Sequence, residues 1–288
     1  AIAWVRMMTD HKLYQTMMGR ETNFRYSDLS SVFKNPNPWR YFKRIFQKGD
    51  MVIPERIEKE KPILNLTTHN LLAYGEPVFE GLGSRAVFIV VVRHPLYMII
   101  QQTLNMERLL STPRDVDVYF EYGDAQLPYY IYGWEKLYLQ SNFVERAIYN
   151  IEKMTKRAEN MRDICREKYN HQVVIVPFER FVIDPWPYMN RIAIALETVI
   201  TEKTKKIMKK QRVPRKKISA GIPLDIYKRC GWEPPEKELN EQQELDKRRQ
   251  YAIEQGASKE AMVALDRICQ EYEEKYLSSV SGLKRSAR

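Results

Sequence analysis

Four short stretches hold the residue types that transfer chemistry requires, and three of them directly follow an apolar run. Arg93-His94 leaves the seven-residue run 86–92 (AVFIVVV) and meets Pro95, which suits helix entry. A guanidinium there can offer its planar fork to a phosphate, helped by the first amides of the next helix. The simpler alternative is an Arg paired with a carboxylate at the sheet edge. His69, in Thr67-Thr68-His69, follows the run 63–66 and is the candidate general base. Phe178-Glu179 follows the run 173–176, and Glu179 reads as a hydrogen-bonding partner for nearby loop amides, with no catalytic role. Arg215-Lys216-Lys217, between Pro214 and Gly221, can turn cations and loop amides onto a phosphate.

The pattern around these residues is strand, then turn, then helix. Continuous β-branched runs at 86–92 and 173–176 predict strands buried on both faces of a parallel sheet. Helices are expected at 2–18, 76–82, 95 to about 110 and 187–199. A long one should start at Asn142 and Glu145, whose spacing fits a capping box. Two more are expected across 236–277, divided at Gly256-Ala257 with Ser258 as N-cap. Residues 111–138 read as a connection rich in tyrosine, a half-exposed wall in which Tyr130 and Trp134 are candidates for acceptor binding. The expected fold is α/β, a parallel sheet with helices on both faces. The expected domains are 1–235 and a helical C-terminal extension, 236–288. Ligands of such sheets bind beyond the carboxyl ends of the strands, where His69, Arg93 and Phe178 stand.

Composition narrows the classes. The chain has 288 residues, 44% hydrophobic and 29% charged, which excludes global disorder, and no apolar run approaches the length of a membrane span. Three scattered cysteines without a CxxC argue against a disulfide scaffold or zinc site, and point to a reducing, cytoplasmic setting. Of the net charge of +10, nine positive charges lie in residues 203–217, so the basicity is one patch seeking one anionic partner. A nucleic-acid-binding module would spread such charge over a face with aromatic platforms. A nucleotide or nucleoside kinase would need a GxxxxGK[ST] loop and acidic magnesium ligands at a strand end, and no Asp closely follows any of the three runs.

These segments resemble, in order, those of the sulfotransferases that use 3′-phosphoadenosine-5′-phosphosulfate (PAPS), whose fold is P-loop-like. VFIVVVRHPLYMIIQ is similar to the family's strand-turn-helix bearing a 3′-phosphate-binding Arg, here Arg93. THNLL is similar to the segment carrying the catalytic base, here His69. VIVPFERFVIDP places Phe178 where an adenine-contacting aromatic lies, and RKKISAG resembles the basic, glycine-containing cofactor loop, here Arg215, Lys216 and Lys217. The resemblance covers about residues 1–222. Gln101 stands where the family has a phosphate-binding Ser, Thr67 where a Lys is frequent, and Lys217 where a Gly is expected. The phosphosulfate-gripping loop is not found, so the expectation is a chain that starts just after it. The resemblance implies metal-independent sulfuryl transfer from PAPS to a small-molecule or carbohydrate acceptor, with no nucleic-acid partner and no membrane span.

Overall fold

The computed structural model describes residues 71–83, 86–109, 119–169, 173–222 and 239–278, together with Trp39 and Lys59. Apart from those two, they fall in one of the two units into which the chain divides, His69–Pro223 with Cys230–Arg288. The expected strand 63–66, helix 2–18 and His69 lie outside the described residues.

The architecture is mixed α/β and mostly helical. Helix α1 (Glu76–Leu82) precedes strand β1 (Phe88–Val92), and α2 (Pro95–Leu109) follows it. Next come a hairpin, β2 (Tyr119–Tyr122) and β3 (Ala125–Pro128), then α3 (Glu135–Gln140) and the 27-residue α4 (Phe143–Tyr169). Strand β4 (Val173–Pro177) leads straight into α5 (Phe178–Ile183), α6 (Trp186–Ala195) and α7 (Glu202–Lys210). The last elements are α8 (Glu241–Glu254) and α9 (Lys259–Tyr272), and α9 runs on into a wider π turn, Glu273–Leu277.

β1 and β4 pair in parallel, Phe88 with Val173 through Val92 with Pro177. Their carboxyl ends therefore lie side by side, which sets Arg93 beside Phe178. On one face Phe88, Val90 and Val173 pack with Phe79 of α1 and with Ala158, Met161 and Cys165 of α4. On the other face α6 covers Val174 and Val176 through Tyr188, Ile192 and Ala195. That helix packs on β4, and Ile89 and Val91 of β1 stay 42% and 61% exposed. β1 is thus not buried on both faces, as its continuous apolar run led us to expect.

The connection 111–138 also differs from expectation, because residues 119–128 form an antiparallel hairpin. Gly123 turns it with φ +59°, a conformation that glycine adopts without strain. The main core lies away from the sheet, where Leu96, Ile99 and Met106 of α2 meet Ile148 and Ile151 of α4 and Leu265 and Ile268 of α9.

The amino terminus of α4 is a junction as well as a cap. Asn142 Oδ1 accepts from the Glu145 amide and Glu145 Oε2 from the Asn142 amide, each at 3.0 Å, the reciprocal capping box. The same two side chains reach the turn between α8 and α9. Asn142 Nδ2 donates to the Gly256 carbonyl at 2.8 Å, and the Ser258 amide donates to Glu145 Oε1 at 3.0 Å. Asn142→Ala removes a cap and a tertiary bond together, so it should cost about 2 kcal/mol. Calorimetry should show a melting temperature lower by about 4–8 °C.

Candidate functional site

The turn after β1 is organised by one buried carboxylate. Glu179, in the first turn of α5, is 3% exposed and faces donors from separate parts of the chain. Its Oε1 accepts from the His94 amide at 3.2 Å and lies 4.0 Å from Arg93 Nε. Its Oε2 accepts from the Tyr272 hydroxyl of α9 at 2.5 Å. Both simpler sequence expectations are met here. Glu179 serves a loop amide, and Arg93 has a carboxylate beside it.

His94 carries the network onward. It is 2% exposed, its Nδ1 accepts from the Leu96 amide at 3.2 Å, and its Nε2 lies 3.0 Å from Glu273 Oε1. An Nδ1 that accepts leaves the ring proton on Nε2, which donates to Glu273. The first amides of α2 are therefore turned inward, Leu96 onto the His94 ring and Tyr97 onto the His94 carbonyl, and do not supplement Arg93 as expected. On the far side Arg248 of α8, 2% exposed, donates to Glu244 at 2.7 Å and to the Tyr97 carbonyl at 3.3 Å.

Above this network lie cations and an aromatic ring. The Arg93 guanidinium carbon is 4.8 Å from the Phe178 ring centroid and 5.5 Å from that of Tyr97. Arg215 approaches the same Phe178 ring, at 5.7 Å. Its amide donates to the Val182 carbonyl of α5 at 2.6 Å, and its Nη1 to the Ile218 carbonyl at 3.1 Å, which curls the loop back on the guanidinium. Gly221 closes that curl, since a β-carbon there would lie 3.1 Å from Arg215 Nη1. Lys216 and Lys217 are exposed on the same loop. Cation–ring contacts of this kind hold guanidinium planes in place.

Three of the candidates, Arg93, Phe178 and Arg215, are thus brought together. Gln101 is exposed on α2, six residues beyond Pro95 or about 9 Å along the axis. Trp134 is buried in the main core, and its Nε1–H donates to the Tyr130 carbonyl at 3.0 Å. Tyr130 is half-buried against that core, edge-on to Tyr129. Arg157 of α4 ties the aromatic segment down, donating to the Tyr130 and Tyr132 carbonyls and to the Tyr74 hydroxyl. Among the described residues, no three His, Cys, Asp or Glu side chains gather closely enough to hold a metal ion. No described helix is long and apolar enough to cross a membrane.

Sequence reasoning missed Tyr272, Glu273 and Arg248. A signal existed for Tyr272, which continues the buried stripe Ala261, Leu265, Ile268 and Cys269 of α9. A tyrosine on a core stripe needs a buried partner for its hydroxyl.

No protein-family profile matches the chain, and no characterised protein or solved structure matches it either.

Burial, and after it the Glu179 charge, raises the Tyr272 phenol well above its ordinary value, and burial pushes Tyr97 up to about 12. Both stay protonated in the folded chain while the unfolded chain ionises them from about pH 10. Their contribution is therefore whole below that pH and is lost as pH rises above it. Tyr272→Phe should be less stable at neutral pH by about 1.5–3 kcal/mol, the worth of a hydrogen bond to a charged group. Its stability should also decline less steeply than the wild type's above about pH 10, as urea titrations across that range would show.

Proposed function

We propose that this chain is a sulfotransferase of P-loop-like fold, moving a sulfuryl group from PAPS to a hydroxyl or amine acceptor. The observation that carries the reading is the meeting of Arg93, Phe178 and Arg215. They come from three segments that separately resemble the family's nucleotide-binding segments, and they converge beyond the carboxyl ends of two parallel strands. The residues fit such a ligand. Arg93 and Arg215 supply fixed forks for a phosphate, Lys216 and Lys217 add exposed charge, and Phe178 supplies an aromatic surface for a purine.

In sulfuryl transfer the acceptor oxygen or nitrogen forms a bond to sulfur as the bridging S–O bond to the 5′-phosphate breaks. The acceptor's proton goes to a base, and 3′-phosphoadenosine-5′-phosphate leaves. In-line positioning and stabilisation of charge on the leaving oxygen are what the protein must supply. On this reading Arg93, Gln101 and the loop 215–217 hold the 3′-phosphate, and Phe178 packs on the adenine. His69 takes the proton, and the half-buried Tyr130 belongs to the acceptor side; Trp134, expected beside it, is buried in the main core and supports Tyr130 from behind.

Binding of 3′-phosphoadenosine-5′-phosphate, measured by calorimetry, tests the carrying observation. Arg93→Ala and Arg215→Ala should each raise the dissociation constant at least tenfold, because each removes a charge-assisted contact. Unchanged affinity in both variants, or no binding to the wild type, would sink the reading. In a chain that also carries the phosphosulfate-gripping loop, His69→Ala should lower kcat by about 10²–10⁴ with nucleotide affinity nearly intact. An acidic limb of the pH–rate profile that persists in this variant would assign the base elsewhere.

A further inference from the structure

The corner formed by the end of α6 and the whole of α7 combines two surface properties that the site above does not use. Ile194, Val199 and Ile207 are 75%, 76% and 51% exposed within fourteen residues of sequence. Lysines follow close behind them in the chain. Lys203, Lys205, Lys206, Lys209 and Lys210 of α7 are all exposed, and among the described residues only Lys205 is in an ion pair, with Glu202 at 2.6 Å. The helix is held in one orientation. Met208 is buried beneath it and Thr201 caps its start, accepting from the Thr204 amide at 3.2 Å. With 3.6 residues per turn and Met208 facing inward, Lys203, Lys206 and Lys210 occupy the outward side and Ile207 its flank.

Single exposed aliphatic side chains are ordinary, and so is a basic helix face. Their combination on one rigid corner is more selective. A nucleic-acid surface would present aromatic platforms or hydrogen-bonding side chains among the cations, whereas the large side chains exposed here are aliphatic. Aliphatic residues interleaved with lysines suit a boundary where acyl chains lie beneath anionic headgroups.

We propose that the α6–α7 corner docks the protein onto an anionic lipid surface, with Val199 and Ile207 entering the headgroup–acyl boundary and the α7 lysines contacting lipid phosphates and carboxylates. The protein would then lie on the membrane and work from its surface.

Co-sedimentation of the full chain with vesicles tests this. Vesicles of phosphatidylcholine containing about one-third phosphatidylserine should bind it, and pure phosphatidylcholine vesicles should not. The charge variant Lys203→Glu/Lys206→Glu/Lys210→Glu and the apolar variant Val199→Ser/Ile207→Ser should each weaken that binding at least tenfold. All five positions are exposed, and unchanged circular dichroism would show that both variants remain folded. Three results overturn the proposal: no binding to anionic vesicles, equal binding to neutral ones, or full binding by the apolar variant. Binding of single-stranded RNA by the wild type without vesicle binding would reassign the corner to nucleic acid. Nucleotide affinity should be unaffected in the apolar variant, which separates this test from that of the site.

Discussion

A carboxylate removed from water must have its oxygens satisfied, and the described fold answers that demand at Glu179. The donors come from the backbone of the β1 turn and from the Tyr272 hydroxyl of α9, with Arg93 Nε 4.0 Å away as a charge partner. Meeting the demand fixes the path of the turn 92–97, the start of α5 and the end of α9 together. His94 and Arg248 extend the same logic: His94 passes its requirement to the exposed Glu273, and Arg248 is paired with Glu244, itself buried. A turn so heavily cross-braced is suited to holding Arg93 at one angle, which positioning chemistry requires more than extra charge.

That bracing has an electrostatic consequence. Arg93 sits beside Glu179 while its guanidinium lies against Phe178, so the charge is fixed in place at the expense of partial neutralisation. Arg215 approaches the other end of the cluster with its own carbonyl partners and restores a positive balance next to Lys216 and Lys217. Two guanidiniums sharing one ring are kept from drifting apart by packing. Gly221 contributes by having no side chain where the Arg215 fork must lie.

Local features were legible in the sequence wherever a physical signal is local. The helix 76–82, the start of α2 at Pro95, the Asn142–Glu145 box and the Ser258 cap all follow from residues within one turn of each other. The hairpin 119–128 escaped because its strands are four residues long with no strict alternation of burial, although Gly123-Asp124 is a turn dipeptide. Reading two-sided burial into AVFIVVV failed for another reason. An apolar run states what a strand can tolerate, and the reach of α6 decides what is covered. At the site, Arg93, Phe178 and Arg215 were legible because each follows a strand or a break. The burial of Tyr272 was legible from its stripe, but its partner was not, since Glu179 stands 93 residues earlier and no spacing rule links them.

The tie between α9 and the β1 turn also sets a timetable. Glu273 lies 179 residues beyond His94, so a nascent chain emerging at about 5–20 residues per second must wait roughly 10–35 s between making the two. Throughout that interval the turn is without its His94–Glu273 and Glu179–Tyr272 bonds, and the future core face of α2 lacks its α9 partner. The buried network around the β1 turn is therefore completed from the far end of the described chain, so α9 is the element that locks a turn made long before it.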